Sequence, residues 1–445
     1  MEENLWALYA PDAKQPWNLA RVVHLHRRAA FAGTWAELQR DLKDGPVKAI
    51  SRLLTGTTNL HAAKDFNATA ALLFDAAVTQ GEIGRLKAGW FYRFLFGPDP
   101  LKEKLTLLWH DHFATANSKV DDVGAMRKQN DTLRKHAAGK FAALLNAAVR
   151  EPALLLYLDA QTNRKGHANE NLGRELMELF TLGVGNYTEA DVKEAARALT
   201  GWSVDDGQFV EVAERHDDGE KTLLSAKGKF DGSALVDLLL KQPSIADRIA
   251  MKLIRLFFGD NGVSVGAAKQ LADGLHERDL NVGWAVETIL KSRLFFADSN
   301  LRNRVLSPVE SVVGSARALE LFDPAPSTLA MADWSARMGQ DVFDPPNVGG
   351  WPVGKKWVHS RGLIARANYV TALVTGPNSG RGIAYDPAAQ AKKHGFGSAA
   401  ADVLTFHHRL LFGTDPTADA RKRLEPLPPA KMVIALLSSP EAQLG

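Results

Sequence analysis

The sequence predicts a mainly α fold, a multi-helical globular bundle with at most a small β-hairpin and one Pro/Gly/Trp-rich loop. Three observations carry that expectation. Apolar residues recur at three- and four-residue spacing through most of the chain, as in Leu101, Leu105, Leu108, His112 and in Val192, Ala195, Ala196, Leu199, which is the pattern of one buried helix face. Helix-end signals bound such stretches. Strand patterns are scarce: the clearest is Gln208-Phe209-Val210-Glu211-Val212, which follows a glycine and is expected to pair with residues near Leu223.

Thr188 with Asp191 three residues on reads as a helix N-cap, the helix is expected to run through Leu199, and Gly201 is placed to close it in a left-handed conformation. A second device recurs as Arg93-Phe94-Leu95-Phe96-Gly97, Arg255-Leu256-Phe257-Phe258-Gly259 and Arg409-Leu410-Leu411-Phe412-Gly413. Each reads as a helix C-terminus with apolar anchors and a terminal glycine. Their separations are far longer than the roughly 20 to 50 residues of a solenoid unit, so they predict a reused helix stop. The 445 residues divide into an N-terminal helical region (1–100), a region rich in His, Glu and Arg motifs (101–240) and a C-terminal region with the Pro/Gly/Trp loop (241–445), expected to pack as one compact unit. Loop composition peaks at 344–354, with Pro345, Pro346, Gly349, Gly350, Pro352 and Gly354 around Trp351, and again at 376–397.

Composition excludes several classes. A net charge of only +3 without a long basic run argues against nucleic acid. The absence of cysteine removes disulfides, iron–sulfur clusters and thiol nucleophiles. The opening residues lack a basic and an apolar leader region, so cytoplasmic residence is expected, or an exported location if a leader was removed. No apolar run approaches the roughly 18 residues of a membrane span. Walker A, Rossmann, zincin and Gly-x-Ser-x-Gly signatures are all missing.

Candidate chemistry concentrates in 109–221. His110 and His112 close a helical run; two apart on a helix they point to different sides, so they would share a divalent metal only where the helix ends. Glu170, Arg174 and Glu178 stand at four-residue spacing, with Asn171 and Glu175 in the adjacent row. Such a row is either a solvated ion-pair ladder or, if packed among helices, a set of carboxylates that need a partner. His216, Asp217 and Lys221 add a base, an acid and a cation within one Gly-containing loop. Trp351 and Trp357 would make either core anchors or a platform for a sugar ring.

These segments, in order, resemble a large bacterial family called domain of unknown function eighteen-hundred. The resemblance rests on Trp109 through Phe113, Asn169-Glu170-Asn171, Arg174-Glu175, Phe180-Thr181-Leu182-Gly183, Tyr187-Thr188-Glu189, Thr200-Gly201-Trp202, His216-Asp217, Pro345-Pro346-Asn347-Val348 and Gly350-Trp351. It extends from Leu25-His26-Arg27-Arg28 to Ala365-Arg366-Ala367-Asn368. It implies an alkaline-phosphatase-like or sulfatase-like protein as a partner, and an exported location. Asp111 departs from the pattern, which has Asn between the histidines.

The expected function is an enzyme with a polar pocket. Glu170, Glu175, His216 and Asp217 would be catalytic, Arg174, Asn171, Lys221 and Trp351 would bind substrate, and His110 and His112 would hold a divalent metal. Hydrolysis or group transfer on a carbohydrate or ester is the matching reaction. The alternatives are a non-catalytic helical scaffold or maturation partner of an alkaline-phosphatase-like protein, whose Glu170 row would be consumed in ion pairs, and a haem or di-iron redox protein, for which paired Glu-x-x-His motifs are missing.

Overall fold

The computed structural model describes residues 4–56, 60–260 and 262–445. The described residues form helices over most of their length, with two separate two-stranded antiparallel sheets. The mainly α expectation holds. Among the described residues no helix is long and apolar enough to cross a membrane.

Local punctuation sets many boundaries. Thr188 and Asp191 form a reciprocal capping box on the Glu189–Ala198 helix, and Gly201 follows with a φ of 87°. The three recurrent stops share one bond: the N–H of Gly97, Gly259 and Gly413 donates to the carbonyl of Arg93, Arg255 and Arg409 respectively. Gly259 and Gly413 have positive φ, whereas Gly97 does not, because Pro98 forces the residue before it into extended backbone.

One strand pairing differs from expectation. Gln208–Glu211 pairs with Trp202–Asp205, not with the stretch at Leu223, and Lys221–Leu223 instead pairs with Ala226–Gly228. The short Asp206-Gly207 turn closes the first hairpin locally, and both of its residues have positive φ. A two-residue loop reaches its partner at a smaller entropic cost than the longer excursion to Leu223.

Two hydrophobic cores organise the helices. One gathers Trp109, Phe141, Phe180, Leu199, Ile249 and Phe295; the other gathers Trp90, Phe94, Val312, Phe343, Tyr369 and Phe406. Leu19–Ala29 and Pro100–His112 supply side chains to both, so the first core reaches into the opening residues and the second joins residues near 90 to residues beyond 400. Buried charges tie the same helices. Glu310 accepts from Lys104 and Arg304, at 2.6 Å each, and Glu103 accepts from Arg93, Arg134 and the Trp90 indole. The guanidinium groups beside it hold Glu103 at about 2 against the opposing pull of burial, so it stays ionised.

Candidate functional site

The motif region from Glu170 to Lys221 folds around the Glu189–Ala198 helix. Asn171–Glu175 is α-helical, but Leu176–Thr181 continues as a π-helix. That inserted geometry breaks the four-residue register after Glu175, so Glu178 leaves the row and accepts from the Tyr187 hydroxyl at 2.6 Å. Arg174 makes two 2.8 Å bonds to Glu189 and one of 3.0 Å to Glu170. The Glu170–Arg174 pair is thus a partly exposed ion-pair ladder. Asn171 donates to Asp159 at 3.4 Å, a long bond at the surface. Glu175 has no hydrogen bond or ion pair among the described residues, and burial with the neighbouring Glu178 charge raises its carboxyl above the ordinary value.

The second predicted cluster is a structural knot. Asp217 takes a bidentate grip from Arg197 at 2.8 and 3.1 Å, which lowers its carboxyl to about 2. His216 donates through Nδ1 to the Thr200 carbonyl at 2.9 Å. Lys221 is buried, with its ammonium donating to the carbonyls of Asp217 and Gly219, and burial lowers its pKa. The loop before Glu170 is tied to this knot: Asn163 donates to Ala196, accepts from Asn169 and from Gly201, and Lys165 donates to the Arg215 carbonyl.

His110 and His112 diverge. Pro100–His112 stays helical through both residues, so the backbone never extends to bring the rings together. His112 donates to the carbonyl of Phe180, at the end of the π-helix, at 3.1 Å; His110 Nε2 accepts from the N–H of Phe343 at 3.0 Å. Both are fully buried and desolvation lowers both, His110 to about 3. Among the described residues no group of three or more His, Cys, Asp or Glu side chains is arranged to hold a metal. The geometry therefore gives no support to a shared ion at His110 and His112.

What His110 does instead is hold a loop. Phe343 is buried with a φ of 65°, an unusual conformation for a bulky residue, and its amide is fixed by His110 while its carbonyl accepts from the amide of Asn117. The loop then turns back onto the helix. A Cβ on Gly350, whose φ is 86°, would sit 2.2 Å from Asp111 Oδ1 and 2.7 Å from the Asp111 carbonyl oxygen, so only glycine permits this approach. The next amide, of Trp351, donates to Asp111 Oδ1 at 2.9 Å. The Gly349-Gly350-Trp351 motif is in this way the seat of the loop on residue 111.

Behind the loop lies a cavity of about 180 Å³ between Pro100–His112, Ser244–Phe258 and residues 351–357. None of Glu170, Glu175, His216 or Asp217 lines it; of the expected substrate-binding residues, only Trp351 does. Its polar wall combines Asp111, Lys252, Arg255, Asp260 and the Glu310 network, and Trp351 and Trp357 form an aromatic wall. Lys252 Nζ stands 3.7 Å from Asp111 Oδ2. Burial pushes the Asp111 carboxyl above its ordinary value, with Lys252 opposing; burial likewise pushes the Lys252 ammonium below its own, with Asp111 opposing. Trp351 Nε1 and His110 Nδ1 are buried without hydrogen-bond partners among the described residues, and their rings lie 5.4 Å apart.

From sequence, Lys252 and Asp260 carried no functional role, Arg255 stood only as part of a helix stop, and Asp111 was marked only as a departure from a pattern. The one available signal was Arg248, Lys252 and Arg255 at helical spacing, flanking the apolar row of Ile245, Ile249 and Leu253, and such a row also describes the ordinary polar border of a buried face.

The chain belongs to the family described as protein of unknown function (DUF1800), whose model matches residues 24–444. No curated protein and no solved structure matches it.

Proposed function

We propose that this member of the family is an acid/base enzyme, hydrolytic or group-transferring, whose reaction takes place in the cavity beneath the 343–357 loop. The observation that supports this reading is the Asp111–Lys252 pair. A carboxyl that holds its proton more tightly than usual faces, at 3.7 Å, an amine that holds its own less tightly. Opposed shifts of this kind in a concave site suit proton transfer. Asp111 serves as the general acid that protonates the leaving oxygen as its bond to the substrate breaks, Lys252 in its neutral form takes the proton of the attacking water or acceptor hydroxyl, and passage of that proton from Lys252 to Asp111 restores both groups. The buried Trp351 indole N–H, which has no partner among the described residues, fits an acceptor oxygen of the substrate. The aromatic wall fits the apolar face of a sugar ring or the carbon skeleton of an ester.

The test is turnover of p-nitrophenyl glycosides and esters by the wild type, Asp111→Asn and Lys252→Met. Asn retains an oxygen to accept from the Trp351 amide, so the loop stays seated while the titrating group is gone. Activity lost in both variants at unchanged melting temperature supports the proposal. A full activity panel untouched by either substitution overturns it.

A helical scaffold acting beside an alkaline-phosphatase-like protein is the second reading, favoured by the engagement of Arg174 with Glu170 and Glu189. It expects no turnover in any of the three proteins.

A further inference from the structure

We infer that residues 353–364, the outer side of the cavity loop and the first turn of the following helix, dock the protein on an anionic lipid surface. Of the twelve large apolar side chains that stand exposed among the described residues, four lie in this short segment: Val353, Val358, Leu363 and Ile364. Ile364 is 62 % and Val353 49 % exposed, so neither belongs to a core. Lys355, Lys356 and Arg361 are interleaved with them and exposed, and their side chains form no hydrogen bond or ion pair among the described residues. No Asp or Glu occurs anywhere between Asp344 and Asp386. The acid that reaches the segment from another element is Asp260, whose carboxylate lies against Gly354.

Apolar side chains raised among cations whose side chains are unpaired, with Asp260 as an acid only at the Gly354 end of the segment, match the boundary of a membrane. The cations meet headgroup charge while the apolar tips enter the acyl edge. A protein partner would need opposing carboxylates at defined positions, whereas three solvent-facing cations suit a diffuse negative surface.

The placement gives the segment a consequence for the cavity. Val353 and Trp357 of the segment line the cavity together with the preceding Trp351 and with Leu107, Leu108 and Leu256. A ligand leaving the lipid surface for this cavity would meet both these apolar side chains and the Asp111–Lys252 pair. Resting on the proposed acid/base function, this makes the substrate class an amphiphile with its polar linkage directed inward.

Co-sedimentation with vesicles reads the docking without any turnover. The full chain is expected to bind vesicles of equimolar phosphatidylglycerol and phosphatidylcholine and to bind phosphatidylcholine alone weakly, with the difference reduced by salt. The double variant Lys355→Ala/Lys356→Ala should partition about 30-fold more weakly onto the anionic vesicles, taking each cation near the surface as roughly a fivefold effect. Leu363→Ser/Ile364→Ser should weaken binding to both vesicle types while leaving the melting temperature unchanged, since both side chains are exposed. Failure of the wild type to bind anionic vesicles, equal binding by the double variant, or retention only on an acidic protein column would each overturn the inference. Asp111→Asn, run in parallel, is expected to bind vesicles as the wild type does, so failure of docking and failure of the catalytic reading give different results.

Discussion

Gly350→Ala is the sharpest perturbation of the loop that forms the cavity. Alanine at a φ of 86° adopts a left-handed conformation that costs an L residue about 1 to 2 kcal/mol. Its Cβ would also stand 2.2 Å from Asp111 Oδ1 and 2.7 Å from the Asp111 carbonyl oxygen. The carboxylate can rotate away only by giving up the Trp351 amide, and the carbonyl belongs to a helix and cannot rotate at all. Overpacking of this kind costs about 1 to 3 kcal/mol, so the two effects together predict a loss of about 2 to 5 kcal/mol. Urea unfolding measures it as a lowered midpoint at an unchanged slope. Gly349→Ala is the control: its Cβ would approach Asn347 Oδ1 at 3.0 Å and its φ is not positive, so its loss should stay below about 1 kcal/mol. In the Asp111→Ala background part of the clash is gone, and the double variant should be less destabilised than the sum of the singles by about 1 kcal/mol or more. A Gly350→Ala protein within about 0.5 kcal/mol of wild type would refute the argument that residue 111 seats the loop.

The buried histidines predict acid sensitivity, because His24, His110, His112 and His407 are all lowered by burial, His110 to about 3 and His407 to about 4. The folded protein keeps these rings neutral while the unfolded chain takes up protons near their ordinary value of 6.5. Their stabilising contribution is therefore present above 6.5 and is lost as pH falls toward the lowered values. At pH 5 each such ring costs about 2 kcal/mol, so the urea midpoint should drop steeply between pH 6.5 and 5; a flat profile across that window would contradict the burial. Arg174→Ala should cost less than about 1 kcal/mol in a melting experiment despite its three bonds, because the ladder is partly exposed; a loss of several kcal/mol would show that the ladder carries more than surface ion pairs do.

Much of the helical framework was readable because its signals are short-range. A Thr188–Asp191 capping box, a glycine after Phe258 or Phe412, and apolar residues three and four apart each act within a turn or two of chain. The same locality explains the pairing error at Leu223: a five-residue alternating run states that a strand exists, while its partner was chosen by a two-residue turn next to it. It also explains the fate of the Glu170 row, whose spacing assumed an α-helix where a π-turn from Leu176 sends Glu178 to Tyr187.

The candidate site was legible only in fragments. Trp351 stood out as a tryptophan in a rigid loop, but Asp111, Lys252 and Trp351 are separated by more than a hundred and by nearly a hundred residues of chain, and none carries a local pattern that points to the others. Helical class, caps, stops and the absence of cysteine chemistry follow from sequence because they depend on neighbours along the chain. Which histidine faces Phe343, which glycine rests on Asp111 and which lysine is stripped of water beside it depend on how two cores close around the Pro100–His112 helix. Burial decides the protonation of those groups, and burial is a property of the packed structure.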